Sequence, residues 1–405
     1  LQDLSLVIIK MEYFADLHVH IGRAKNKPIK ITASRSLTLQ NIYDYCINNK
    51  GIDIVGVVDC ASPYVLDEIA EQVECGLLTI LPGGGLRYKN KLTVILGAEI
   101  ETTEKQGAAH SIAFFPYYEQ IKEFSKVLSK YITNITLSCQ KAKLSADNLA
   151  EIVYELGGKL IPAHAFTPFK SFYGSCYDRL SLAFEKHFNS IAAVELGLSA
   201  DTDFADTIDE LSEKTFITNS DAHSLEKIAR EYNKLNLQFP DFENIFSAIN
   251  RLNDNAIIAN YGLNPKLGKY HRTFCKKCNY IASEEPPIII CPKCGSKEVT
   301  LGVLDRINMI SDFKNAIHPA HRPPYYYQIP LEFIPGIGVK TIKELVAKFG
   351  TEINVLQNAS FNQLAQVIGE VRANSIIAAR NQNLILRAGG GGLYGKVEAT
   401  IWKTF

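Results

Sequence analysis

Between residues 13 and 260 the chain alternates short β-branched runs with amphipathic helical stretches, and that alternation leaves few architectures open. Repeated βα units build a largely parallel sheet, either open or closed into a barrel, and with this many units in about 250 residues a barrel is as good a solution as an open sheet. Strands are expected at 52–58, 92–96, 159–162, 191–195 and 215–218. Helices are expected over 39–49, ended by Gly51, and over 147–156, capped by Ser145 and ended by Gly157 and Gly158.

The 405 residues, 46% of them hydrophobic, suffice for one large core and a second smaller one. No apolar run reaches the roughly 18 residues of a membrane span, and the N-terminus lacks the basic, apolar and small-residue series of a secretory signal. A cytoplasmic, nucleoid-associated protein is the expectation, with no membrane partner. The residues before Met11 are left out of the fold reading. Formal charge is zero, yet residues 1–262 carry 25 basic and 33 acidic side chains and the remaining 143 carry 18 and 10. That polarity fits an acidic, metal-binding part joined to a basic part able to hold a polyanion; drift over a long chain is the alternative.

Ionisable residues fall at or just past the ends of the expected strands: Asp16-Leu17-His18-Val19-His20, Asp59, Glu99, His110, His164 and Asp221-Ala222-His223. In a barrel those ends converge on one mouth. His-x-His on an extended segment puts both imidazoles on one face, and Asp-x-His does the same with one oxygen and one nitrogen donor. The mixed set suits Zn, Mn or Fe and exceeds what one ion needs. Any single member alone would read as an ordinary hydrogen-bonded residue; the set does not. Glu195 is a further ligand or a carboxylate orienting one. Ser199 and Asp201 either line the substrate entrance or cap a loop. His187, His271, His318 and His321 are read as structural or surface residues.

The order Asp-Leu-His-x-His, Asp, Glu, His, His, Asp-x-His resembles the PHP (polymerase and histidinol phosphatase) metallo-phosphoesterases. The resemblance implies a distorted (β/α)7 barrel whose multinuclear centre cleaves phosphate esters. It carries metal roles onto His18, His20, Asp59, Glu99, His110, His164, Asp221 and His223, with Glu195 added as a ninth candidate. Asp221, beside His223, is the expected catalytic and bridging residue. Two departures stand out: Asp59-Cys60 where many members have Asp-His, and no third histidine shortly after His20.

Cys275-x2-Cys278-x12-Cys291-x2-Cys294 forms two knuckles with turn residues Pro292 and Gly295, the spacing of a closed, structural four-thiolate zinc ribbon. The other five cysteines are scattered, which excludes a secreted disulfide framework. Farther on, Pro335-Gly336-Ile337-Gly338-Val339-Lys340 resembles the turn of a helix-hairpin-helix, where Gly336, Gly338 and Lys340 can meet a DNA phosphate without reading a base. A degenerate second copy covers 364–377 around Gly369; plain glycine turns between packed helices are the alternative. Gly390-x4-Gly395-Lys396-Val397 lacks the Ser or Thr of a P-loop and is read as a flexible or lesion-contacting segment. The tyrosines 325–327 stack on a base or pack between domains.

Barrel (11–262), ribbon (263–305) and helical end (306–405) together resemble the endonuclease Q family. That resemblance implies nicking of double-stranded DNA 5′ of uracil, hypoxanthine, xanthine or abasic sites, with structural Zn2+, two or three catalytic Zn2+, Mn2+ or Mg2+ ions, and other repair proteins as further partners. A small-molecule phosphatase and an inactive damage-binding scaffold remain the alternatives.

Overall fold

The structure is a computed structural model and describes residues 10–398. Seven strands close a ring. Strand β1 (Met11–Val19) pairs in parallel with β2 (Ile54–Val57), and β2 with β3 (Leu92–Glu104). β4 (Gly107–Phe115) folds back antiparallel on β3, and β5 (Lys159–Pro162) runs antiparallel to β4, restoring the first direction. Just past β5 the Ala165 N–H donates to the Glu195 carbonyl at 2.9 Å, which ties in β6 (Ala193–Glu195), itself parallel to β7 (Thr215–Ile217). A parallel bridge from Val19 to Ala222 completes the circuit. Outside the ring, β8 (Tyr232–Leu237), β9 (Ala256–Gly262) and β10 (Tyr325–Tyr327) extend the sheet from β1.

The alternation of side chains along each strand divides the core in two. Ala15, Leu17, Ile54, Ile95, Ile112, Ile161 and Ile217 belong to one buried cluster, filling the ring below its mouth. Val55, Val57, Val94 and Leu96, their sequence neighbours, belong to a second cluster under the surrounding helices. With both faces covered, β2 is the continuous apolar run Ile-Val-Gly-Val. A Cβ on Gly56 would collide with the Leu17 backbone, so the β1–β2 approach requires glycine there.

The expected helices form. Leu39–Tyr45 is capped by Thr38 and continues as the wider turn Cys46–Lys50, stopped by Gly51 at φ +84°. Ala146–Glu155 starts where Ser145 accepts the Asn148 N–H. One expectation changes: 92–115 is a hairpin, so β4 breaks the parallel pattern.

After β9, Phe274–Cys275 pairs with Val299–Thr300 across the cysteine segment. Helix Val303–Ile310 inserts Val303, Ile307 and Ile310 into the barrel's outer core. Helices Val339–Phe349, Glu352–Gln357, Phe361–Ile368 and Glu370–Arg380 bury Leu345, Val355, Leu364 and Ile376 in a core of their own. A buried ion pair, Lys50 Nζ to Glu352 Oε2 at 2.9 Å, pins that core to the barrel. Among the described residues no helix is long and apolar enough to cross a membrane.

Candidate metal centre

β1 ends in Leu17-His18-Val19, with His20 just past it, and both histidines are wholly buried. Behind each stands a carboxylate. His18 Nδ1 lies 3.0 Å from Glu195 Oε2, and His20 Nδ1 lies 3.1 Å from both Asp59 oxygens. With the Nδ1 atoms held this way, the Nε2 atoms face the centre of the mouth. His18 Nε2 is 3.6 Å from Glu99 Oε1 and from Asp221 Oδ1; His20 Nε2 is 3.5 Å from Glu99 Oε2 and 3.4 Å from Asp221 Oδ1. Neither Nε2 has a hydrogen-bond partner among the described residues, although both are shut off from solvent. Two buried imidazole nitrogens without partners among the described residues, facing two carboxylates, make a donor set that fits a divalent cation.

Glu99 joins this pair to a second group. His110 Nδ1 is 2.7 Å and His164 Nε2 3.2 Å from Glu99 Oε1. His110 reaches the mouth because β4 runs backwards, so its first residues lie at the end where the parallel strands finish. His223 is half-buried, its ring 4.5 Å from that of His20. The nine sequence-derived candidates therefore meet in one place. Glu195 faces away from the open nitrogens: besides His18 it accepts from Asn219 Nδ2 at 2.9 Å and the His164 N–H at 3.1 Å.

The loop carrying Asp221 is fixed from below. Asp16, fully buried and turned from the cluster, accepts the N–H groups of Ser220 and Ala229 at 3.0 and 2.9 Å. Arg230 donates to the carbonyls of Ser220 and Asp221 at 2.7 and 3.1 Å. The backbone is left-handed at His164 (φ +30°), Asp221 (+46°) and Cys139 (+57°). Such conformations persist only where the surroundings over-determine them, and they gather at functional sites.

Charge is strongly coupled here. Burial disfavours an imidazolium at His18, but Glu195, Asp221 and Glu99 outweigh it and raise its pKa to about 10. Burial opposes ionisation of Asp221, yet His20, His18 and His223 hold its carboxyl well below the usual range. At His223 burial wins and lowers the pKa to about 4.

Three members of the site escape the sequence reading. Lys30 Nζ sits 2.9 Å from Glu99 Oε2, Cys139 Sγ lies 2.7 Å from the same oxygen, and Glu101 pairs with Lys170 at 2.6 Å beside His110. Lys30 and Cys139 lie on irregular loops with no periodicity to mark them; Glu101, two residues after Glu99 on one strand face, carries the one available signal. Cys60, by contrast, is buried and donates to the Val57 carbonyl at 3.3 Å, away from the cluster.

The mouth opens into a cleft of about 590 Å³. Asp221, His223 and Asn219 line it together with Lys227, Arg230 and Lys269. Ser199, 3% exposed, lies in its wall, where its Oγ accepts the Tyr270 N–H at 3.4 Å. Tyr394 reaches the cleft from the glycine-rich end, with Lys269 Nζ 4.7 Å from its ring centre and its hydroxyl bonded to Arg230. The glycine run is thus docked: Gly389 N–H donates to Lys266 O at 2.8 Å and Gly392 N–H to Lys269 O at 3.1 Å.

The four ribbon cysteines converge separately, with Cys275 and Cys294 sulfurs 3.6 Å apart and Cys278 and Cys291 likewise. Each knuckle turns on a left-handed residue after its second cysteine, Asn279 (φ +56°) and Gly295 (+69°). Gly336 (φ +83°), Gly338 and Lys340 are exposed at the start of helix Val339–Phe349, and a Cβ on either glycine would meet nothing within 4 Å. Tyr325 packs against the barrel's outer core, while Tyr326 is 48% exposed with its ring centre 5.2 Å from that of Tyr261.

Ring, mouth and ribbon define the class: a distorted α/β barrel with a candidate metal centre at its mouth, followed by a four-cysteine ribbon. No family model matches the chain. The uncharacterised protein YqxK of Bacillus subtilis is 43% identical over 392 residues, 95% of this chain and 99% of that protein. The lesion-specific endonuclease PfuEndoQ of Pyrococcus furiosus superposes with a TM-score of 0.83 at 33% identity over 98% of both chains. A structure of Endonuclease Q with a 27-mer duplex bearing an abasic lesion at the active site superposes at 0.82, with 32% identity over 96% of this chain and 97% of that one. The chain belongs to the endonuclease Q family.

Proposed function

We propose that this protein is a metal-dependent DNA repair endonuclease that hydrolyses the phosphodiester 5′ of deaminated bases and abasic sites. The observation that carries the reading is the pair of buried, unpartnered Nε2 atoms of His18 and His20, facing Glu99 and Asp221, the last of which lines a cleft that also carries Lys227, Arg230 and Lys269. The likeness to a lesion-specific endonuclease and to an abasic-DNA complex over nearly the whole chain supports it.

His18, His20, Glu99 and Asp221 would hold one divalent ion, and Glu99, His110 and His164 a second, with His223 beside them. Glu195 and Asp59 would serve as the carboxylates that orient His18 and His20. Divalent metal at such a set supplies Lewis acidity toward water and phosphate at neutral pH. The chain's own part is positioning: Asp221, anionic, faces the cleft from a loop locked by Asp16 and Arg230, beside the place an attacking water would take. Lys227, Arg230 and Lys269 attract the phosphate backbone. A flipped nucleotide fits the cleft, whose volume exceeds that of one base, and Ser199 in its wall offers a hydroxyl. The ribbon would hold a structural Zn2+, and Gly336, Gly338 and Lys340 would bind duplex phosphates in a helix-hairpin-helix manner; the boundary expected between 305 and 306 falls inside helix Val303–Ile310, and β10 belongs to the barrel's sheet, so the DNA-holding helices would be those from Val339 on.

The test is purified protein with Mg2+ or Mn2+ and labelled duplexes identical except for one uracil, hypoxanthine, abasic site or normal base, beside Asp221→Asn. A nick immediately 5′ of the lesion, absent in the variant, is expected. Intact duplexes together with hydrolysis of a small phosphomonoester would replace this reading with a phosphatase.

A further inference from the structure

We infer that the groove between strand β10 and the helical end binds a nucleotide, its base against a row of tyrosines and its phosphate on Arg380. The site goes beyond the reading above and does not depend on it.

Two adjoining cavities, of about 340 and 190 Å³, share Tyr327, Ile329, Ala379 and Gln382 in their walls and so form one groove. Neither shares a lining residue with the cleft at the barrel mouth. The larger is of the size that holds small ligands.

One wall is aromatic. Tyr232 on β8 and Tyr261 on β9 stack with ring centres 4.9 Å apart, and Tyr326 on β10 follows 5.2 Å from Tyr261. Tyr261 and Tyr326 line the groove, and Tyr326, the end of the row, is 48% exposed. An open aromatic ring accepts any base, because every base has a π-face.

The polar groups are a matched pair. The Tyr232 hydroxyl lies 2.6 Å from Gln328 Oε1 and 2.8 Å from Gln357 Nε2. A hydroxyl has one hydrogen, so it donates to one amide and accepts from the other. What remains is the Nε2 of Gln328, 8% exposed and without a partner among the described residues, and the carbonyl oxygen of Gln357. Both residues line the groove, and a donor beside an acceptor is what the edge of a base pairs with. A buried donor left unmet is costly, so a ligand that meets it is held.

Charge selects the rest. Arg380 donates to the Val355 carbonyl, but its Nε has no partner and no carboxylate pairs with it among the described residues. A half-buried guanidinium in that state favours an anion, and its planar fork fits phosphate. Lys266 lines the smaller cavity, where a second phosphate would lie. An apolar compound would leave the amides unmet, and an inorganic anion would leave the rings unused. A free nucleotide and an unpaired residue of a DNA strand offer the same chemistry.

Photocrosslinking of the full chain tests this. The probes are 5-iodo-dUMP and a short single strand carrying one 5-iodo-deoxyuridine, with the labelled residues located by mass spectrometry. Label is expected on Tyr326 or Tyr261, suppressed tenfold or more by excess dGMP and far less by the same concentration of inorganic phosphate. Labelling by the free nucleotide makes the site one for small nucleotides; labelling by the strand alone makes it one for an unpaired DNA residue; either upholds the inference. Tyr270 and Tyr394 report binding in the cleft separately. Arg380→Gln is expected to lower labelling of the groove tyrosines roughly tenfold. No label on Tyr261 or Tyr326 at millimolar probe, equal suppression by phosphate, or undiminished labelling in R380Q overturns the inference; the mapping on the wild-type chain stands even if the variant misfolds.

Discussion

The barrel mouth and the cysteine ribbon gather metal-binding side chains on opposite plans. The mouth draws its residues from positions as far apart as 18 and 223, and its key donor groups are held by protein: Glu195 behind His18, Asp59 behind His20, Arg230 on the Asp221 backbone. The ribbon draws four thiols from within 275–294 and is framed by two-residue strands. One set is framed by a hydrophobic barrel and opens on a cleft; the other is framed by two short strands, and its four thiols fill a tetrahedral set with no position left open. Preorganised and open is the plan of a catalytic site, metal-organised and closed that of a structural one.

The largest expected effect breaks the mouth alone. Asp221→Asn should lower single-turnover nicking roughly 10³-fold or more while the melting temperature stays near wild type, because asparagine tolerates the left-handed backbone at that position. Cys278→Ser is the converse: exchange protection across 272–300 should collapse and duplex affinity fall, while cleavage per bound duplex persists, read by hydrogen exchange and saturating-enzyme kinetics. Glu195→Gln should weaken metal binding at the mouth roughly 10- to 100-fold, and excess metal should restore the rate. Lys340→Ala should reduce the salt slope of duplex binding by about 1 with cleavage of bound DNA unchanged.

The smallest effect concerns Glu231, buried with one oxygen on the Leu263 N–H at 2.8 Å and the other unpartnered among the described residues. Burial raises its pKa to about 8 from the usual 4.5. The folded state therefore holds a proton that the unfolded chain releases, and the associated stability is present below pH 4.5 and lost as pH rises through 8. Glu231→Gln should flatten the decline of melting temperature over that range.

Much of this was legible in the sequence where local spacing carries the information. His18-x-His20 fixes two donors on one strand face, Cys-x2-Cys fixes a knuckle, and Ser145 with Gly157 brackets a helix. What spacing cannot carry is contact between distant segments. That β4 runs antiparallel follows from the hairpin at 104–107, and it is what brings His110 to Glu99. Lys30 and Cys139 enter through irregular loops, and the packing of 325–327 against β9 is a pairing across more than sixty residues. The glycine run that reads as mobile is held by backbone bonds to 266–269, whose partners no composition rule identifies.

The division of labour is tested most directly by anomalous diffraction from crystals of the full chain grown with Mn2+, collected on either side of the manganese and zinc edges. The account predicts manganese within bonding distance of His18, His20, Glu99 and Asp221 and zinc among the four ribbon cysteines. Zinc in the ribbon with no metal signal at the mouth would contradict it.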